Sequence, residues 1–481
     1  MGPKKKMSGM LRSGAVIFVL LTSGCLYIPS LKHRTSSEDL AVLQVGTTTR
    51  AEVLERLGSP NLLDNERFYV HTASSEYGLF LLFTPGGLGG ANLGGKYYRI
   101  LLEFDERQIL RRREIETGEQ GVFDRGPIAK KEKAGLEPGA WDEKVVLSEK
   151  SWGMTLDFNA VSISPDGNTL AALDSKERLW LLDLKTGKHV VLDKPAKSLW
   201  HCSSAGNQAL AFSPKGRRLA VLSVGISITD VLDQSKVVTF SGHGDSCFWI
   251  WRAATAMTFA PDGKAVASGG SDGAVRIWDA FTGAEIRSFT AHEKSVLSLS
   301  FSPDGRMLAS SGEDSLVRLW DTSSWTEVAS IPNAALQRST VVRRQPGIAR
   351  FSPDGKILAV NVETHVELWP IIRSEADSGS PARVSLGKIT DIFLLPFHPG
   401  QRYPGLLSAA LSFSPDGRMI AASAGAAVIH DRAASKNIWR TSDADITDDI
   451  TDLAFTPGGQ TLFFASRYKG VYFISLSRGP L

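Results

Sequence analysis

Several groups of residues in this chain have types and spacings that could do chemistry. His292 and Asp314 could form half of a catalytic triad, the carboxylate orienting a histidine that activates a nucleophile. Gly269-Gly270-Ser271-Asp272-Gly273 fits the pattern that presents a hydrolase serine on a strand-to-helix turn. Here strand-like segments lie on both sides of it, with no helix after it. Gly90 to Gly95 followed by Lys96 nearly matches a phosphate loop, but Tyr97 stands where a magnesium-binding hydroxyl is needed and a strand follows. Asp443, Asp445, Asp448, Asp449 and Asp452 could suggest calcium. They lack the glycine and the terminal glutamate of a hand loop, so a solvated acidic loop is expected. No catalytic residue, metal site or cofactor is expected from these patterns.

The elements around these residues follow one repeated turn. It reads Ser164-Pro165-Asp166-Gly167, Ser213-Pro214-Lys215-Gly216, Ala260-Pro261-Asp262-Gly263, Ser302-Pro303-Asp304-Gly305, Ser352-Pro353-Asp354-Gly355, Ser414-Pro415-Asp416-Gly417 and Thr456-Pro457-Gly458-Gly459. Proline presets φ and glycine accepts a positive φ, which makes a tight link between two apolar strands. The spacing is that of a four-stranded propeller blade, and the copies predict seven blades. The last copy runs out one strand short. Lys144-Val145-Val146-Leu147-Ser148 resembles the outer strand Lys188-His189-Val190-Val191-Leu192, so residues 144–148 are expected to complete the last blade and close the ring.

Ala291-His292, the turn at Pro303, Ser310, Asp314 and Val317-Arg318-Leu319-Trp320-Asp321 closely resemble one WD repeat. The preceding copy has Gly242-His243, Ser268, Asp272 and Trp278-Asp279. The resemblance implies a mainly β fold, a seven-bladed WD-type β-propeller over residues 142–481. It also implies two buried tetrads, His292, Ser310, Asp314, Trp320 and His243, Ser268, Asp272, Trp278, which makes the triad-like pair structural. Other copies decay: Trp180 stands in Leu179–Asp183, Pro370 follows Trp369, and His430-Asp431 replaces Trp-Asp.

At the N-terminus, Lys4, Lys5, Lys6 and Arg12 precede an apolar run, Gly14 to Leu21, too short for a comfortable membrane span. Leu21-Thr22-Ser23-Gly24-Cys25 resembles a bacterial lipobox. This implies a signal peptide over 1–24, lipid attachment at Cys25 and a tether over 25–39. Two or three acyl chains would hold the protein stably at a membrane. Cleavage would take the formal charge from +3 to −1, because the four basic residues before Cys25 leave with no acid. No argument for nucleic acid survives that change. Leu26 after the cysteine favours an outer-membrane address facing the periplasm.

Thr49-Arg50-Ala51-Glu52 is a capping box opening a short helix. Strand-like Arg67–His71, Tyr97–Phe104 and Ile109–Ile115 follow, with a glycine-rich excursion between the first two. Leu43–Thr48, Glu52-Val53, Leu57–Pro60 and Leu102–Asp105 resemble the BamE/SmpA/OmlA lipoprotein family, which implies a small α+β domain over 40–116 preceding the propeller. Residues 117–141, rich in Gly, Pro, Lys and Glu, read as a linker.

The longer repeats carry their excess before the first strand of the next blade, where connections emerge on one face. These hold Trp200; Trp249, Trp251 and Arg252; Arg338, Arg343 and Arg344; and Phe393, Phe397, Arg402 and Tyr403. Aromatic residues and arginine dominate interface hot spots, so these are candidates for holding a protein partner, although packing within their own loops is an equal alternative. Cys202 and Cys247 fall in loops of neighbouring blades on that face, where a disulfide and two free thiols are both open. The expected function is a membrane-anchored, non-catalytic lipoprotein scaffold of the bacterial envelope. Two alternatives remain: an envelope enzyme or small-molecule receptor using the propeller's central channel, and a propeller like periplasmic TolB. A polar channel with converging ionisable groups favours the former. The Trp-Asp and Gly-His positions argue against the latter.

Overall fold

In the computed structural model the described residues are 18–20, 25–28, 40–57, 62–64, 68–74, 79–84, 87–92, 95–105, 107–120, 143–147, 150–151, 154–155, 158–192, 209–222, 225–233, 237–240, 242–243, 254–332, 347–362, 365–373, 384–387, 390–395, 409–424, 426–441, 450–466 and 470–476. The chain divides into two compact units, Met1–Lys131 and Glu132–Leu481.

The larger unit is a seven-bladed β-propeller. Blade 1 is Phe158–Ile163, Thr169–Asp174, Leu179–Asp183 and His189–Leu192, paired antiparallel in chain order. Blades 2, 3 and 4 repeat that order, with innermost strands Leu210–Phe212, Ala254–Phe259 and Val296–Phe301. Blades 5 and 6 begin with Ala349–Phe351 and Ala409–Phe413. Blade 7 has Ile450–Phe455, Thr461–Ser466 and Gly470–Ser475, and its outer strand is Glu143–Leu147 from the other end of the unit.

Each repeated turn is closed by its glycine N–H donating to the first residue's carbonyl, at 2.8 Å in blade 1 and 2.9 Å in blade 3. The glycines are needed for more than their φ near +70°. A Cβ on Gly216 would meet Pro165 Cδ of the preceding turn at 3.2 Å, and one on Gly167 would meet Pro457 at 3.5 Å. The turns thus stack proline on glycine around the ring, the last contact joining blade 7 to blade 1.

Between blades, apolar side chains from adjacent sheets interleave. The seam between the last and first blades holds Phe158, Leu170 and Trp180 against Phe463, Ala465 and Val471. Thr451 Oγ1 donates to the Phe158 carbonyl at 2.6 Å across the same seam.

Blade 5 departs from the pattern. Its third strand runs through Pro370, His365–Arg373, and its outer strand comes in two pieces, Asp391–Leu394 and Val384–Leu386. Proline has no N–H for a ladder, and the partner changes beside it. Phe393 therefore belongs to the core, not to a partner-binding loop: it is buried and stacks on His430 at 4.2 Å.

In the smaller unit, Thr49 and Glu52 make the reciprocal cap of helix Arg50–Leu57. The Thr49 N–H donates to Glu52 Oε2 at 2.8 Å, and the Glu52 N–H to Thr49 Oγ1 at 3.3 Å. Val53 and Leu57 of the helix pack with Leu40, Leu43, Ile100, Leu102, Phe104 and Leu110. One sheet contains Leu62–Asp64, Phe68–Ser74, Gly95–Phe104 and Leu110–Gln120, so its last strand enters the segment expected as linker. The glycine-rich excursion is a strand, Gly87–Asn92, paired with Leu79–Thr84. Cys25–Ile28 pairs with Leu79–Thr84 on one side and Phe18–Leu20 on the other.

Candidate interaction surface

The two copies with complete motifs form matching hydrogen-bonded chains. In blade 4, Trp320 Nε1 donates to Ser310 Oγ at 2.9 Å, Ser310 Oγ lies 2.7 Å from His292 Nε2, and His292 Nδ1 lies 2.9 Å from Asp314 Oδ1. In blade 3 the distances for Trp278, Ser268, His243 and Asp272 are 2.8, 2.8 and 3.0 Å. Because the serine oxygen accepts from the indole, its own hydrogen is directed to Nε2, and Nδ1–H then donates to the carboxylate. Burial lowers the His292 pKa despite the nearby Asp314 and keeps the ring neutral. Burial alone would raise the Asp314 pKa, but the Arg318 hydrogen bond and then His292 draw it down.

Ser310, His292 and Asp314 thus have the distances of a hydrolytic triad without its chemistry. Ser310 and Ser268 are 0% exposed, and the indole N–H occupies the oxygen that would have to attack. A nucleophile needs room for substrate beside it. These sets tie each blade's second and third strands to the histidine that enters from the preceding connection.

Sequence patterns alone did not reveal two further supports. Arg276 and Arg318, four residues after the aspartates, donate to Asp272 and Asp314, each at 2.8 Å. Gly270 and Gly312 make room for the histidines, since a Cβ would lie 2.1 Å from His243 Nδ1 and 2.3 Å from His292 Nδ1. The decayed copies keep the indole satisfied by carboxylates. Trp180 donates to Asp174 at 3.0 Å and Trp369 to Glu367 at 3.0 Å. In blade 6, His430 occupies the tryptophan position and its Nε2 lies 2.9 Å from Asp391 Oδ2 of blade 5.

The family of the WD domain, G-beta repeat, matches residues 234–279 and 283–321, the stretches that hold both tetrads. The chain carries WD40 repeats. A stretch of 142 residues is 32% identical to the small ribosomal subunit protein RACK1 of Schizosaccharomyces pombe, covering 28% of this chain and 42% of that protein. Another of 139 residues is 25% identical to the periodic tryptophan protein 2 homolog of Dictyostelium discoideum, covering 26% of this chain and 13% of that protein. The chain therefore spans less than half the length of either relative. WD40 propellers typically act as protein–protein interaction scaffolds.

In this WD40 propeller every connection from an outer strand to the next innermost strand leaves from the end opposite the Ser-Pro-Asp-Gly turns. Trp200, Trp249, Trp251, Arg252, Arg338, Arg343, Arg344, Phe397, Arg402 and Tyr403 fall in such connections but lie outside the described residues, as do Cys202 and Cys247. The side chain of Cys25 is likewise not described.

Asp452 requires a correction. It is not part of an acidic loop but lies in the innermost strand of blade 7, Ile450–Phe455. Its carboxylate accepts from the Val161 N–H of blade 1 at 3.0 Å and the Leu453 N–H at 2.9 Å. Asp443, Asp445, Asp448 and Asp449 lie outside the described residues. Among the described residues, no group of three or more His, Cys, Asp or Glu is placed to hold a metal ion.

Desolvation pushes the Asp452 pKa up to about 7. The folded chain then holds a proton that the unfolded chain releases near pH 4, so this group erodes stability as pH rises from about 4 to about 7. Asp452→Asn keeps one acceptor oxygen, for Val161, gives up the one for Leu453 and removes the charge. The variant is expected to gain about 2 kcal/mol at pH 8, after discounting the partly exposed carboxylate for solvent screening, and least near pH 4. Denaturation midpoints across that range would show the gain, and a difference independent of pH would contradict the assignment.

Proposed function

We propose that the chain is a non-catalytic, lipid-anchored scaffold of a bacterial cell envelope, holding a protein partner on the propeller face opposite the Ser-Pro-Asp-Gly turns. The observation that carries this reading is topological. The connections rich in tryptophan, arginine, phenylalanine and tyrosine all join an outer strand to the next innermost strand, and the strand ends that flank them lie opposite the Ser-Pro-Asp-Gly turns. Clustered aromatic and arginine side chains are the usual source of interface energy. The WD40 repeats and the buried serines of both tetrads support a binding role over a hydrolytic one.

The membrane part of the proposal rests on Leu21-Thr22-Ser23-Gly24-Cys25 and the basic, apolar segment before it. Among the described residues, no helix is long and apolar enough to cross a membrane. Cleavage before Cys25 would remove Phe18–Leu20, an edge strand, and leave Cys25 at the start of the next strand. An outer-membrane position facing the periplasm is the address proposed.

Crosslinking in the native envelope, followed by mass spectrometry, tests the binding face. One partner should be captured by wild type and lost when Trp249, Trp251, Arg343 and Arg344 are replaced by alanine. Equal capture by both proteins would move the interface elsewhere. Metabolic lipid labelling should mark wild type and not Cys25→Ala, and an unlabelled wild type would end the anchor proposal.

A further inference from the structure

The axial channel is lined by the innermost strands, and the residue two positions before each repeated turn recurs there. It is hydroxylic in four blades, as Ser162, Thr258, Ser300 and Ser412, and alanine in two others. In blade 5 it is Arg350. Ser162 and Ser300 accept N–H groups from Phe212 and Phe351 of the next blades, each at 3.3 Å, covering the unpaired edge that faces the axis. Ser162, Thr258, Arg350 and Ser412 are partly exposed.

Arg350 donates from Nη1 to the Leu299 carbonyl of blade 4 at 2.9 Å. Burial brings its pKa down to about 10, and the charge of Asp452 works against that shift. Among the described residues, the carboxylate that acts on it electrostatically is that of Asp452, so protonation of Asp452 leaves the guanidinium without a counter-charge. The carboxylate of Asp452 is already committed to the two backbone amides of Val161 and Leu453. Buried guanidinium groups are normally paired, and their planar fork matches a carboxylate or phosphate.

We propose that the channel binds a small oxyanion, a carboxylate or a phosphate, on Arg350, with channel hydroxyls as secondary donors. Asp452 gives this site a pH dependence, because its ionised form repels the ligand. Arg350 and Asp452 are the only ionisable residues at the positions two and four before the turns. Asp166, Asp262, Asp304, Asp354 and Asp416 stand in the turns themselves.

Calorimetric titration of the full chain with sodium sulfate, inorganic phosphate and acetate tests the site, with chloride at equal ionic strength as control. Saturable oxyanion binding is expected, several-fold tighter near pH 6 than near pH 8. Arg350→Met should weaken it by about tenfold or more, and Asp452→Asn should bring the pH 8 affinity up to the pH 6 value. Equal binding by Arg350→Met, or chloride matching the oxyanions, overturns the proposal. Should that variant fail to fold, Arg350→Lys decides: it keeps the charge without the fork, and undiminished binding of both oxyanion types would overturn the assignment. Preference for phosphate over acetate, or the reverse, identifies which oxyanion the site takes.

Discussion

Replacing His292 with alanine is expected to lower the stability of the propeller by about 3–4 kcal/mol at neutral pH. The ring is fully enclosed and receives one hydrogen bond while giving another. Its removal leaves the buried Ser310 hydroxyl without the acceptor that His292 supplies. Asp314 keeps Arg318 and the Leu316 N–H, so the carboxylate is not abandoned. The cost is therefore one orphaned hydroxyl, one lost charge-assisted bond and a cavity beside Gly312. The pH dependence has a definite sign. The histidine pKa is lowered in the folded state, so the unfolded chain takes up the proton first as pH falls through about 6.5. Part of the difference between wild type and His292→Ala should shrink below that pH and be fully present above it. Urea midpoints at about pH 5.5 and 7.5 measure both features. A cost under about 1 kcal/mol, or one unaffected by pH, would show that the tetrad does not bind the blade together.

The contrast with the decayed copies explains how far the sequence could be read. Turn chemistry is local, so Ser-Pro-Asp-Gly and its variants revealed the blade count without tertiary information. The complete tetrads were legible because four residue types recur at fixed offsets around a strand pair. The substitutes were not. Asp174 ends a second strand, while Glu367 lies two residues before its tryptophan on the same strand. Neither has the offset of Ser268 or Ser310, although each solves the same problem of an indole N–H in the protein interior. Asp391 reaches His430 from another blade, a relation that no single-blade pattern contains.

Two errors at strand boundaries have physical causes. Phe393 resembled a loop residue because Pro370 divides the outer strand of blade 5 and hides its periodicity. Asp452 resembled the end of an acidic loop because nothing in composition separates a solvated aspartate from one aimed at a neighbouring backbone. The same limit conceals Arg350, whose meaning depends on facing an axis built by seven separate segments. Of the proposed partner face, the sequence offers the candidate residues, and the topology describes the strand ends that flank their connections.

Deletion of Glu143–Leu147 is expected to have the largest effect of any change in the propeller. This strand pairs Leu147, Val145, Lys144 and Glu143 with Val471, Tyr472, Phe473 and Ile474. It is the point where the two ends of the ring share one sheet. Without it, Gly470–Ser475 becomes an open edge carrying fully buried Val471 and Ile474. Such an edge is a template for pairing with another chain. The seam would retain Thr451, Asp452 and the cluster around Phe158 and Trp180, so the blades need not unfold at once. A stack of blades with free ends can nevertheless open from either end, as other repeat arrays do. Loss of a single cooperative transition is expected, together with concentration-dependent association in sedimentation. Moving the same segment to follow Leu476 should restore a monomer, because the strand can pair in the same register without crossing the ring. A deletion variant that stays monomeric with an unchanged midpoint would mean that the apolar seam alone closes the propeller. The rescued variant separates the two causes, since it restores the edge pairing while leaving the seam residues untouched.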